Sequence, residues 1–226
     1  MWEKPIYRLR AKNGRYVNID VTTSCAPGLK PNEVFIKIIK FFKRKNIETI
    51  LDFGAGSLRH TFPLLKSGFK VCAVEFKEQF QRPYCKKALR RAHRSANFSA
   101  LIFPDQFIKD KRKFDAVILS FVMPTMPIPK ERIALLKLLK KKLKRDSVIF
   151  WMSQYGKYGN ALKETNMVGD GWYLNPTRTL HSFYTEFKND EIDKMLKEIK
   201  HERILSPSKR GNDQFRLYSR GIIKWP

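Results

Sequence analysis

Glycine and acid are both scarce in this 226-residue sequence, with 11 glycines and 21 Asp+Glu against 46 Lys+Arg. Cysteine is scarcer still. Cys25, Cys72 and Cys85 are odd in number and widely spaced, which excludes a disulfide framework and a Cys-x-x-Cys metal site. Cys72 sits in an apolar run and is expected to be a small buried side chain. No apolar stretch reaches membrane-spanning length, and residues 1–10 lack the apolar core of a secretory leader. The expectation is a soluble, cytoplasmic protein with no membrane partner and no metal. A Gly-Lys-Ser/Thr phosphate loop is absent, and so is the Gly-x-Gly-x-x-Gly of dinucleotide enzymes, which disfavours a dehydrogenase.

What is abundant is positive charge. The formal net charge is +25, with a sequence pI near 10.1. A charge of that size on a small chain favours a polyanionic partner, nucleic acid ahead of an anionic membrane surface. Recurrent Lys, Ile and Phe would also follow from an AT-rich genome, so composition alone does not decide. Hydrophobic residues at 42% and aromatics at 13% mark a chain that folds around a real core. With no repeat and no linker, the expectation is one domain. Residues 1–46 form a hairpin and helix, 47–153 a core, and 154–226 a substrate lid and C-terminal strands.

"IYRLRAKNGRYVNID" (6–20) alternates around Asn13-Gly14, a hairpin signal. "PNEVFIKIIKFFKRKN" (31–46) opens on Pro31, a good first helical residue. Its apolar residues Val34, Phe35, Ile38, Ile39 and Phe42 follow helical spacing. A regular alternation follows. Strands are expected at 49–54, 70–76, 98–103, 114–121 and 147–153, with helices at 58–68, 81–95 and 129–143. Apolar strands separated by helices imply a parallel sheet covered on both faces. Residues 154–180 read as a long surface segment or lid. "NDEIDKMLKEIK" (189–200) reads as a helix with Asn189 as its N-cap, and two antiparallel strands close the chain.

Two of the few glycines, Gly54 and Gly56, stand where the first core strand ends, in "LDFGAGSLRH" (51–60). Glycine there lets the backbone turn tightly and approach a ligand. Glu75 ends the next strand about 20 residues on, the position of a carboxylate that accepts ribose hydroxyls. Asp105 follows the third strand. Over residues 48–153 this order resembles class I S-adenosylmethionine-dependent methyltransferases. The resemblance implies a Rossmann-like α/β fold with about seven mostly parallel strands and S-adenosylmethionine as cofactor. It places Asp52 near the methionine ammonium, Gly54 and Gly56 under the cofactor, Glu75 and Phe76 at the ribose, and Asp105 and Gln106 at the adenine. Ser120 and Phe121 would open the loop that lines the methyl group. Leu58 departs from the family, which often has a third glycine there. "VILSFVMPTMPIPKER" and "TLHSFYTEFKNDEI" are similar to stretches of methyltransferases associated with DNA phosphorothioation gene clusters.

No Asn-Pro-Pro-Tyr and no Pro-Cys nucleophile is present, which argues against the common DNA-modifying chemistries. Met123 and Met126 are expected to pack near the cofactor, and His60 to be structural or solvent-facing rather than catalytic. Among base candidates His181 ranks first by side-chain type, followed by Tyr155 and Asp170. Lys86, Lys87, Arg90, Arg91 and Arg94 share one helix face, while Lys140, Lys141, Lys142, Lys144 and Arg145 crowd the end of the next helix. Lys209 and Arg210 lie in the last turn. Aromatics interleaved with cations over 154–184 suit stacking on unpaired bases or packing of a lid. Three functions remain open: a methyltransferase for nucleic acid, one for a small molecule or protein, and a nucleic-acid-binding protein that keeps the fold without turnover.

Overall fold

The computed structural model describes residues 4–24, 33–156, 158–159, 162–175, 177–210 and 213–220. Cys25, Pro31 and Lys157 lie outside them, as do the side chains of Lys209 and Arg210. The chain opens with β1 (Ile6–Arg10) and β2 (Tyr16–Asp20), an antiparallel hairpin with Arg10 opposite Tyr16. Gly14 supplies the positive φ of the turn at +83°, and Asn13 Oδ1 accepts the Arg15 amide at 3.0 Å. A 3-10 turn, Val21–Ser24, follows.

The core then runs α1 (Glu33–Arg44), β3 (Thr49–Phe53), α2 (Thr61–Lys66), β4 (Lys70–Phe76), α3 (Lys77–Phe80), α4 (Pro83–Ala92) and β5 (Phe98–Phe103). It continues through α5 (Asp105–Lys109), β6 (Phe114–Ser120), α6 (Pro129–Lys142) and β7 (Leu143–Gln154). Three short strands come next, β8 (Met167–Val168), β9 (Gly171–Leu174) and β10 (Ser182–Tyr184). Then follow α7 (Asn189–Glu198), β11 (Glu202–Arg210) and β12 (Asp213–Ser219).

The central sheet has the order β11-β12-β7-β6-β3-β4-β5. The five strands β3 to β7 are mutually parallel, and β12 runs antiparallel to both β7 and β11. From β3 the chain winds outward through β4 to β5, then crosses to β6 on the other side of β3. Such a reversal opens a crevice at the strands' carboxyl ends. Period-two alternation fills both faces. Ile50, Val71, Ile118 and Phe150 meet α1 residues Phe35, Ile38 and Phe42, while Leu51, Val74, Leu119 and Trp151 face the cluster that includes Leu135, Leu139 and Leu196.

Several elements differ from the sequence reading. The helix after β3 starts at Thr61 rather than residue 58, because Leu58 holds φ +62°, outside helical geometry. A separate one-turn helix, α3, precedes α4. The stretch from 154 to 180 is not all loop: β8 and β9 pair there, and β10 completes a second sheet. The N-cap of α7 is Lys188, whose amide donates to Glu191 Oε2 at 2.6 Å. Asn189 is instead the first helical residue, and its Oδ1 accepts from the buried Arg216 guanidinium.

The basic run at the end of α6 divides by environment. Lys142 is 7% exposed, and its ammonium donates to the carbonyls of Ile108, at 3.1 Å, and Asp110. Lys144 pairs with Asp115 at 2.7 Å. The Lys142 side chain thus serves the fold, a correction to its assignment to a nucleic-acid surface, whereas Lys141, Lys144 and Arg145 are exposed and Lys140 half-buried. Replacing Lys142 by Met should lower unfolding stability by about 1–3 kcal/mol, because two buried carbonyls lose their donor. Lys141→Met should stay within about 0.5 kcal/mol. Urea titration of both variants measures the difference, and equal midpoints would refute the buried role.

Candidate functional site

At the carboxyl ends of β3, β4 and β6 lies a cavity of about 390 Å³. Its floor is the loop after β3. Gly54 turns at φ +69°, and the amides of Gly54 and Ala55 donate to Val74 O at 2.9 and 3.2 Å. A Cβ on Gly54 would come within 2.4 Å of Val122 Cγ2, so glycine is needed for space as well as for φ. Gly56, at φ +52°, donates its amide to Glu75 Oε2 at 3.0 Å, while Glu75 Oε1 accepts the Phe76 amide at 2.9 Å. Glu75 therefore stands at the end of β4 in a fixed orientation, in the same wall as the glycines.

The opposite end is built by β6. Ser120 closes that strand, and Phe121 turns at φ +59° with its amide on Met152 O at 2.9 Å. Arg59 reaches over from the glycine loop. Its guanidinium lies 5.3 Å from the Phe121 ring centroid, and Nη2 approaches Ser120 Oγ at 3.4 Å. The remaining wall comes from distant parts of the chain: Val21–Thr23, Gln154, Tyr158, Leu174 and Ser182–Tyr184. Thr22 is held there by Asp20 Oδ1, which accepts its amide and hydroxyl. The Arg82 guanidinium donates to Thr22 Oγ1 at 2.8 Å.

Two titratable groups support the floor. Asp52 lies beneath the loop, 2% exposed, with Thr61 Oγ1 donating to its carboxylate at 2.6 Å. Burial pushes its carboxyl up to about 6, partly offset by the Thr61 hydroxyl and the Arg59 charge. His60 lines the cavity but is 5% exposed, with its ring 4.4 Å from that of Phe35. Burial, with the Arg59 charge second, holds it down to about 3, so it is neutral near pH 7.

Of the residues singled out from sequence, Gly54, Gly56, Glu75, Phe76, Ser120 and Phe121 meet in the cavity wall, and Asp52 sits one layer below. Asp105 and Gln106 are exposed on α5 and lie outside the lining residues. Gln106 Oε1 accepts the Ile102 amide at 2.8 Å. The three base candidates also fall outside the lining. His181 is 7% exposed, with Nδ1 3.1 Å from Asn175 O. Its backbone bridges to β2 through Asn18 and Asp20. Asp170 is bound by the buried Arg132 guanidinium, with Nη2 at 2.8 Å from Oδ1. Tyr155 is 40% exposed. The geometry thus assigns His181 and Asp170 to joints between elements rather than to proton transfer. Tyr158, Phe183 and Tyr184, from the aromatic segment 154–184, do line the cavity, whereas Thr22 and Thr23 went unrecognised in sequence, since no local pattern marks a hairpin exit as a cavity wall. Arg59 did carry a signal: it is a cation directly after the glycine loop.

Met123 and Met126 are buried, as expected. Lys86, Lys87, Arg90, Arg91 and Arg94 are exposed along α4 and just beyond it. Among the described residues no group of three His, Cys, Asp or Glu could hold a metal ion, and no helix is long and apolar enough to cross a membrane.

No protein-family model matches the chain, and no curated protein matches it in sequence. Solved structures do resemble it. One is 1,6-didemethyltoxoflavin-N1-methyltransferase from Burkholderia thailandensis, with 1,6-didemethyltoxoflavin and S-adenosylhomocysteine bound. It is 17% identical, covering 83% of this chain and 76% of that one, with a TM-score of 0.61. Magnesium protoporphyrin IX methyltransferase from Synechocystis PCC 6803, with S-adenosylhomocysteine bound, is 15% identical over 84% and 83% at 0.58. The CcbJ methyltransferase from Streptomyces caelestis is 14% identical over 83% and 90% at 0.61. The fold is the Rossmann-like methyltransferase fold. In such a fold the cavity occupies the switch point where ligands bind.

A third buried histidine, His201, donates Nδ1–H to Ile199 O at 3.2 Å and accepts from Ser147 Oγ at 3.2 Å. Burial lowers it to about 4. His60 and His201 both bind protons less readily folded than unfolded. Stability present above the unfolded value of about 6.5 is therefore lost as pH falls. Asp52 works the other way, since its raised carboxyl adds stability at low pH that is lost as pH rises through about 6. Two histidines outweigh one carboxyl. Between pH 7 and 5 the urea midpoint should fall, approaching roughly 1.4 kcal/mol per pH unit for a net difference of one proton. His201→Gln should flatten that slope, and an unchanged slope would exclude its part in it.

Proposed function

We propose that this protein transfers a methyl group from S-adenosylmethionine and that the acceptor belongs to a nucleic acid. The observation that carries the cofactor reading is the meeting of Gly54, Gly56 and Glu75 in one wall at the switch point of the sheet. The residues fit the group. The glycine loop offers backbone that a ligand can approach closely, and the Glu75 carboxylate, oriented by the Gly56 and Phe76 amides, is an acceptor in the cavity wall of the type that vicinal hydroxyls need. When bound, S-adenosylmethionine supplies an electrophilic methyl on a sulfonium sulfur. The residues of this chain would act by position: Glu75 orients the ribose, Ser120 and Phe121 set the floor under the transfer line, and Tyr158, Phe183 and Tyr184 enclose the acceptor side.

The acceptor class rests on charge. The exposed cations of α4 form a stripe that starts beside the cavity, where Cys85 Sγ donates to Gly56 O at 3.2 Å and Arg82 holds Thr22. Phosphates along a strand suit such a stripe. The likeness of residues 117–132 to enzymes of phosphorothioation clusters carries no acceptor assignment. Much of that stretch is taken up by packing, with Met123, Met126 and Arg132 buried. A small-molecule acceptor is the second reading. It is favoured by the wall of Leu174, Phe183 and Tyr184 and by the acceptors of two structural neighbours.

Methyl transfer from labelled S-adenosylmethionine into RNA, DNA, protein and small-molecule pools decides among these, and label in nucleic acid is expected. Label found in a small-molecule pool instead would select the second reading. Calorimetry with S-adenosylhomocysteine should show Glu75→Ala losing on the order of 1–3 kcal/mol of binding. Unchanged affinity would reject Glu75 as the ribose ligand. Replacing Lys86, Lys87 and Arg90 by Ala should reduce the salt slope of oligonucleotide binding by about 0.7–0.9 for each phosphate that the variant leaves unneutralised.

A further inference from the structure

The outer face of the N-terminal hairpin is basic, aromatic and open to solvent. Strand pairing sets Arg8 opposite Asn18 and Arg10 opposite Tyr16, with alternate residues on alternate faces. Inward, Val17 and Ile19 are buried in the main core. Outward, Ile6, Arg8, Arg10, Tyr16 and Asn18 are exposed. Tyr16 at 64% and Ile6 at 48% are the two most exposed large apolar side chains among the described residues, and both stand on this face. The Arg8 guanidinium lies over the Tyr16 ring, 5.1 Å from its centroid, and Arg10 is the cross-strand neighbour of the same tyrosine. Residues 4–19 contain Lys4, Arg8, Arg10, Lys12 and Arg15 but no acid. Lys12 pairs with Glu164, whereas among the described residues no carboxylate lies within ion-pair distance of Arg8, Arg10 or Arg15. We infer that this face is a platform for single-stranded nucleic acid, with a base stacked on Tyr16 and phosphates held by Arg8, Arg10 and Arg15. A base offers its flat face to an aromatic side chain only when it is unpaired, while phosphates are available in any form. The face has one aliphatic side chain, Ile6, and so has little to bury in an anionic membrane, the other polyanion that it can meet. It also leads to the cavity. Six residues past Tyr16 the chain reaches Thr22 in the cavity wall, at most roughly 20 Å away, and Arg82, just before α4, donates to that threonine. Platform and α4 stripe thus adjoin one wall. The inference rests on the nucleic-acid reading above and names the form of the acceptor.

The test measures binding of the full chain to a short single-stranded oligonucleotide, the same strand made abasic, its duplex, and phosphatidylserine vesicles. The variants are Tyr16→Ala, Tyr16→Trp and Arg8→Ala with Arg10→Ala, with thermal melts as the folding control. Tyr16→Ala should weaken single-strand binding on the order of five- to a hundredfold and leave the abasic strand and duplex within about twofold. Tyr16→Trp should restore the single strand, a recovery that charge or fold alone would not give. The double arginine variant should lower the salt slope for the single strand by about 0.7 for each phosphate it releases. Wild-type affinity in Tyr16→Ala, equal losses for single strand, abasic strand and duplex, or a loss confined to vesicles overturns the inference. If the α4 variant loses oligonucleotide binding while the hairpin variants keep it, the nucleic-acid reading stands and the platform falls. Wild-type protein that binds no oligonucleotide refutes both.

Discussion

The cavity exists because three alternate residues of one loop, Gly54, Gly56 and Leu58, hold left-handed backbone at φ +69°, +52° and +62°. Each such residue reverses the local path of the chain. Together they bring the exit of β3 back over its own end and turn three amides, those of Gly54, Ala55 and Gly56, toward β4. Glycine takes that conformation at no steric cost, whereas leucine pays roughly 1–2 kcal/mol for it. Leu58 is fully buried, and burial of a leucine side chain is worth about 2–3 kcal/mol, enough to offset the strain. The departure from a third glycine is therefore a change of stabilising agent and leaves the loop path intact. At this position packing against Ala73 and Phe80 does what freedom of the backbone does elsewhere.

Much of the fold was legible because the core strands are bounded by abrupt changes in polarity. The spans 70–76 and 98–103 coincide with β4 and β5, and the hairpin turns at Asn13-Gly14 as its sequence requires. The glycine loop and Glu75 were legible for a related reason, since the chemistry there depends on residue type at a fixed offset. Other features depend on partners far along the chain. His181 reads as a free imidazole among lid aromatics, yet Asn18 and Asp20 bind its backbone across 163 and 161 positions of sequence. Asp170 reads as a loose carboxylate, and Arg132 claims it. Asn189 is a sound N-cap by type, but a buried guanidinium takes its amide oxygen and the cap passes to the residue before it.

The large positive charge is likewise two populations that composition cannot separate. One stabilises structure: Lys142 on carbonyls, Arg112 on Asp110 at 2.5 Å and Arg132 on Asp170. The other is exposed and spread over several elements, among them Lys37, Lys40 and Lys43 on α1, Lys141 and Arg145, and the stripe along α4, whose sequence PYCKKALRRA contains no acid. Cations on a helix without interleaved carboxylates repel one another, and the i, i+4 rule makes that arrangement unfavourable for the helix by itself.

The wall of the cavity away from the central sheet carries the same lesson. Its wall combines the exit of the N-terminal hairpin, the end of β7 and the small β8–β10 sheet. These parts are joined by hydrogen bonds that cross long stretches of chain. Lys12 donates its amide to Met167 O at 2.8 Å, Thr185 to Pro124 O at 2.9 Å, and Asp20 to His181 O at 2.9 Å. The hairpin register therefore sets where β10 lies, and β10 sets where Phe183 and Tyr184 enter the cavity. Gly54, Glu75 and Ser120 come from strand ends of the central sheet, whose positions the core fixes. Thr22, Leu174 and Phe183 come from segments tied to the core only at their margins. A shift of hairpin register would thus change what the cavity accepts while leaving the glycine loop and Glu75 in place.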